Sequence, residues 1–222
     1  MLVWARMSLL VALLVAALAT GCGGETSDDQ SAAERAVLQS SDLRRPGSGL
    51  DWYPAKRKLP GGYAQPADDE SVIARCVNFD IQGLVVTGRA HSDWFSSSVG
   101  DVTSLAGVYE ASAGRALEQL AAETTRCMRR ERASDAGLVG RATGRVSVRE
   151  LPFPRIGKSS RAYEIESDVV EITSENLVTI HENIVLINKQ RSVALLYVVG
   201  NLDRPFDRSL TVKLAEAVAS HM

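Results

Sequence analysis

Seven consecutive apolar residues, Val193-Ala194-Leu195-Leu196-Tyr197-Val198-Val199, constrain this chain more than any other stretch. Successive side chains of a strand point to opposite faces, so a strand with one wet face alternates apolar and polar residues. This run does not alternate, which places it at the centre of a sheet covered on both sides. Leu177 to Ile187 reads as its hairpin partner, with Asn188-Lys189-Gln190-Arg191 as the turn. Val102 to Glu110 alternates and predicts another strand, paired with the segment around Trp94 to Val99. Arg145 to Leu151 and Arg161 to Asp168 read as further strands, the first broken by Pro152-Phe153-Pro154.

Helices surround these strands. Ala116, Leu117, Leu120, Ala121, Thr124, Cys127 and Met128 recur at helical spacing and predict one apolar face over Ala113 to Arg132. Arg126, Arg129, Arg130 and Arg132 then read as a solvated terminus matched to the negative end of the dipole, with an acidic-lipid contact, diluted by Glu131 and Asp135, as the sharper reading. Ser31-Ala-Ala-Glu34 is a capping-box pattern that opens a helix through about Ser41. Leu210, Leu214, Ala217 and Val218 mark a closing helix capped by Asp203 or Asp207. Asp68-Asp69-Glu70 reads as the start of a short helix carrying Val72, Ile73 and Cys76 rather than as a metal site. Arg44 to Gly62 is dense in Pro and Gly and reads as irregular chain bearing Trp52 and Tyr53. Grouped strands with helices around them predict an α+β fold, an antiparallel sheet with helices packed on its faces.

The first residues carry an address. Arg6 precedes an apolar run from about Leu9 to Leu18, and Ala19, Thr20 and Gly21 lead into Cys22. As a helix, the run to Gly21 rises about 20 Å at roughly 1.5 Å per residue. A bilayer core of about 30 Å needs a longer segment. The run therefore reads as a secretion signal rather than a permanent span. Ala-Thr-Gly-Cys resembles the bacterial lipobox, with Ala19 where leucine is commonest. That resemblance implies lipid on the Cys22 sulfur, more than one acyl chain, and cleavage just before it. The other reading is an ordinary signal cleaved near Cys22. The expected organisation is a signal peptide over 1–21, a flexible small-and-polar tether over 22–30, and one extracytoplasmic domain over 31–222.

Charge and cysteine content narrow the class. The formal net charge is -2, with no basic stripe, which argues against nucleic acid. Arg outnumbers Lys by 20 to 5, a bias associated with high-GC bacteria such as actinobacteria. With Cys22 assigned to lipid, Cys76 and Cys127 remain. An even pair in an exported chain reads as a disulfide, with two separate buried thiols as the other reading. No second Cys or His lies at zinc-ligand spacing from either one.

The sequence carries no recognisable catalytic set. It has no G-x-S-x-G elbow, phosphate loop, dinucleotide fingerprint or H-E-x-x-H. His91-Ser92-Asp93 is a poor triad, because triad members come together from distant elements. His181 shares a strand face with Thr179 and Asn183 and reads as partly wet surface, while penultimate His221 is expected to fray. Glu164, Glu166 and Asp168 alternate along one strand and read as a solvated face, with an acidic groove as the sharper reading. Trp94, Phe95, Tyr109 and Tyr197 read as core before pocket wall.

The lipobox at Cys22, the Glu70-Ser-Val-Ile-Ala-Arg-Cys76 segment, Ser92-Asp93-Trp94-Phe95, the long helix ending near Cys127 and Arg149-Glu-Leu-Pro-Phe-Pro154 together resemble small actinobacterial lipoproteins. They are similar in particular to the extracellular sensor domain of PknH-type mycobacterial kinases, with a PsbP-like lipoprotein domain as neighbour. That resemblance covers about Ser31 to Ser220. It implies an antiparallel sheet with packed helices and a ligand cleft. This chain has no kinase, and one candidate disulfide where the kinase-borne domain has two. No binding residue carries over.

The resulting expectation is a non-catalytic binding or sensor module, lipid-anchored on the extracytoplasmic face of the cell membrane. It has no cofactor and no metal. Its partners are membrane lipid through acylated Cys22 and an envelope ligand or protein. The alternatives are an assembly or accessory factor for an envelope complex, and a hydrolase whose site no motif reveals.

Overall fold

The computed structural model describes residues 24–44, 50–54, 72–111, 113–134, 140–171, 174–201 and 203–222. The predicted signal, Cys22 and the Asp68-Asp69-Glu70 triplet lie outside them. In chain order the elements are α1 (Gly24–Arg35), α2 (Ser40–Leu43), β1 (Tyr53–Pro54), α3 (Val72–Cys76), β2 (Val86–His91), β3 (Phe95–Ser97) and β4 (Gly100–Tyr109). They continue with α4 (Ala113–Ser134), β5 (Gly140–Leu151), β6 (Ser159–Glu171), β7 (Leu177–Lys189), β8 (Ser192–Gly200) and α5 (Arg208–His221). The fold is α+β, built on an eight-stranded antiparallel sheet ordered β1-β3-β4-β8-β7-β6-β5, with β2 beside β4.

β8 is central, as its unbroken apolar run dictates. Every residue from Ser192 to Val198 is buried, and the strand pairs with β4 on one side and β7 on the other. The β7–β8 pairing runs to Lys189 opposite Ser192, so Gln190 and Arg191 alone make the turn. Gln190 takes the left-handed conformation there.

α4 covers one face of the sheet. Ala113, Ala116, Leu117, Leu120, Ala121, Thr124 and Met128 are buried at i, i+3, i+4 spacing. They pack with Ile165, Ile184, Leu186, Leu195 and Tyr197. α3 docks alongside, and a disulfide joins Cys76 to Cys127 with a Cα–Cα distance of 5.3 Å. The cross-link spans 51 residues. The chain-entropy model assigns about 4 kcal/mol to closing such a loop.

α5 covers the opposite face, where Leu214, Ala215 and Val218 meet Val185, Ile187, Ala194 and Leu196. Asp207 caps it by accepting from the Leu210 amide at 2.8 Å. His221 does not fray. Its Nε2 stands 2.8 Å and 3.0 Å from the two carboxylate oxygens of buried Asp42, which ties α5 to α2.

Two N-terminal expectations change. Residues 24–30, expected as part of a flexible tether, belong to α1, and the helix ends at Arg35 instead of running to Ser41. α1 lies across β2, a strand the sequence reading does not anticipate. Gly88 has no side chain, and a Cβ there would overlap the Asp29 carbonyl, so the helix backbone sits directly on the strand. The Gln30 amide donates to the Arg89 carbonyl at 2.9 Å and accepts from the Arg89 amide at 3.2 Å. It thereby satisfies edge backbone groups that a further strand would otherwise pair.

β5, β6 and β7 extend beyond α5. On the α5 face, the row of Ala162 and Val185 is apolar and covered by Ile156 and the α5 core. The next three rows are polar, and they form the candidate site.

Candidate functional site

The site is laid out by sheet register. Glu164 lies opposite Asn183, Glu166 opposite His181, and Asp168 opposite Thr179. On β5, Arg149 lies opposite Glu164 and Ser147 opposite Glu166. Directly opposed residues share a face, with Cβ atoms about 4.5–5.5 Å apart. A register shift between Ala142 and Val146 bends β5, with Gly144 at φ 78° taking the left-handed turn this needs. Gly144, Arg145 and Val146 thus wall an open recess of about 660 Å³ whose other walls include Glu166, Asp168, Thr179 and His181.

Hydrogen bonds settle part of this surface. Thr179 Oγ1 donates to Asp168 Oδ1 at 3.0 Å, and Ser147 Oγ to Glu166 Oε2 at 3.3 Å. Arg149 bonds Glu164 through its guanidinium while staying 65% exposed itself. Among the described residues of this face, two buried atoms have no hydrogen-bond partner: His181 Nδ1 and Asn183 Oδ1. The imidazole nitrogen stands 3.6 Å from Glu166 Oε1, beyond hydrogen-bond length. Asn183 is only 7% exposed. Leaving a buried acceptor unsatisfied costs about 1–3 kcal/mol, and a polar ligand reaching these atoms would recover it. Rigid paired strands hold them, which suits a site that must present fixed donors and acceptors.

Across the sheet, under the end of α4, lies a second polar cluster of a different kind. Arg132 donates to both carboxylate oxygens of Glu182, at 2.8 Å and 2.5 Å, and to the Tyr197 hydroxyl at 3.3 Å. Tyr197 donates to Glu182 in turn, and Trp94 stands edge-on to its ring at 5.8 Å. Burial pushes the Tyr197 hydroxyl well above its usual pKa, and the Glu182 carboxylate adds to that. Burial opposes the Arg132 charge, yet Glu182 and Tyr197 outweigh it and hold the guanidinium protonated. The cluster is closed on itself and buried, so it is part of the core. Arg132 is therefore not the solvated helix terminus that the arginine run predicts.

The remaining sequence candidates separate cleanly. Cys76 and Cys127 come together, whereas Cys22 lies outside the described residues. Ser92 is structural: its amide donates to the Ser104 carbonyl at 2.8 Å and its hydroxyl accepts from the Ser104 amide at 2.9 Å. That pair holds the break between β2 and β3, so Ser92 is not oriented as a nucleophile. Tyr109 is core, its hydroxyl donating to the Phe79 carbonyl at 3.1 Å. Glu164, Glu166, Asp168, His181 and Thr179 do share one face. Glu166, Asp168, His181 and Thr179 line the recess, while Glu164 beside them is buried, which departs from a plain solvated surface. Sequence reasoning misses Arg149 and Ser147, because only the β5–β6 register brings them in. It places Asn183 on the right face but not in the interior. No protein-family model matches this sequence, and no curated protein matches it. Among the described residues, no helix is long and apolar enough to cross a membrane.

Proposed function

We propose that this chain is a non-catalytic binding module of the cell envelope, exported and held on the extracytoplasmic face by lipid on Cys22. Its ligand seat is the β5–β6–β7 recess. The observation that carries the reading is a pair of unsatisfied buried polar atoms, on His181 and Asn183, beside carboxylates on a sheet face that α5 leaves uncovered. Such groups recover their lost hydrogen bonds when a polar ligand arrives. The lipobox supports the location, and a lipid-held module needs no spanning helix.

The test is a thermal melt of the full chain in detergent against envelope glycan, lipid and peptide fractions. A ligand at one hundred times its Kd stabilises the native state by about 2.7 kcal/mol. For a chain of this size that raises Tm by roughly 5–10 °C. The shift is expected to vanish in Glu166→Gln and His181→Ala. A shift that survives both variants places the binding elsewhere and refutes the assignment. Replacing Cys22 by Ser is expected to release the chain from the membrane fraction, and full retention contradicts the anchor.

A further inference from the structure

We infer that the β6–β7 face at the edge of the recess holds a divalent transition cation of the zinc class, ligated by Glu166 and His181 from the recess wall and by Glu164 and Asn183 from the adjoining row. This rests on the recess being the binding seat, and it names what is bound there.

Three ligand atoms, one each from Glu164, Glu166 and His181, all lie within 4.8 Å of one another. A second observation independently points to a ligand. Asn183 Oδ1 is buried and unpartnered, in the row of Glu164 and next along the same face from His181. The four residues form a two-by-two block, Glu164 with Asn183 and Glu166 with His181. Its donors are two carboxylates, one imidazole and one amide carbonyl. The imidazole favours zinc-class cations over magnesium and calcium, which prefer all-oxygen shells. Bonds of about 2.0–2.2 Å to zinc bring tetrahedral ligand atoms to roughly 3.4 Å apart. Closing from 4.8 Å requires the ligand atoms to draw together by about 1.4 Å.

Arg149 fits the same account. Its guanidinium sits on Glu164 as the positive charge for that carboxylate, and being largely exposed it can swing out at little cost. It is a competitor of the cation and not one of its ligands.

The experiment is calorimetric titration of the full chain in detergent, stripped of metal, with zinc chloride and in parallel with magnesium chloride. The expected result is one zinc per chain and no heat with magnesium. Glu166→Gln, His181→Ala and Asn183→Ala should each weaken zinc by roughly 10- to 100-fold, the range that even outer-shell partners of a metal command. Arg149→Ala should tighten it by about 1.5- to 5-fold, because an exposed ion pair no longer competes. That gain keeps the test decisive if one ligand variant folds poorly. Zinc binding unchanged by all four substitutions overturns the proposal, as does the absence of zinc binding. In the latter case, a thermal shift with envelope fractions that Glu166→Gln abolishes leaves the recess as the seat of another ligand. Loss of both removes the recess as a binding site.

Discussion

Removing Arg132 tests whether the interior has been read correctly. Glu182 is fully buried, and its carboxylate is held by Arg132 and the Tyr197 hydroxyl. Arg132→Met keeps most of the side-chain volume and deletes the cation. A buried charge is then left with one neutral donor, which costs about 3–5 kcal/mol. For a chain of this length, roughly 2–4 °C of Tm accompanies each kcal/mol, so the melt should fall by about 6–20 °C. Adding Glu182→Gln removes the stranded charge and still lets the side chain accept from Tyr197. The double variant should therefore recover most of the loss, to within about 1–2 kcal/mol of the parent. Urea denaturation of the four proteins of this cycle, followed by circular dichroism, gives the coupling energy directly. A single variant within about 1 kcal/mol of the parent refutes the reasoning, and so does a double variant no better than the single one.

Three further outcomes follow from the same structure. Burial holds the Asp101 carboxyl above its usual pKa, with a Ser96 hydrogen bond only partly offsetting it. The folded state therefore binds that proton more tightly than the unfolded state, and stability falls as pH rises from near 3.8 through the folded value. Asp101→Asn should raise Tm at pH 7 and leave it unchanged near pH 3, and melts at the two pH values check this. Replacing Cys76 and Cys127 by Ser should cost about 4 kcal/mol, read as an 8–16 °C drop in a thermal melt. Gly88→Ala forces α1 off β2. It should cost about 1–3 kcal/mol and speed amide exchange in α1 while the β7–β8 hairpin stays protected.

The parts of this fold that the sequence announces are those where one chemical property repeats. The β8 run is apolar on both faces because both faces are covered, so pattern and position coincide. α4 is legible because its buried residues keep helical spacing for the length of the element. β2 is not legible: Val86-Thr-Gly-Arg-Ala-His91 has no alternation, since Gly88 is dictated by a helix lying on it. The start of α1 is small and polar, like a linker. Its hold comes from Gln30 on β2 and from Asp29, which receives Arg191 at 2.8 Å, and both contacts are long-range. The recess is half legible. Alternation puts Glu164, Glu166 and Asp168 on one face, and His181 with Thr179 and Asn183 on another. Only the β6–β7 register shows that these are the same face, and only the β5–β6 register shows that Arg149 reaches it.

Hydrogen exchange of the full chain in micelles, with and without envelope fractions or zinc, tests the binding claim most directly. The account predicts slower exchange confined to Val146–Arg149, Glu164–Asp168 and Thr179–Asn183. Slowing centred on Ser31, Glu34, Gln39 and His221, which line a separate depression beside α1, with the recess unchanged, would contradict it.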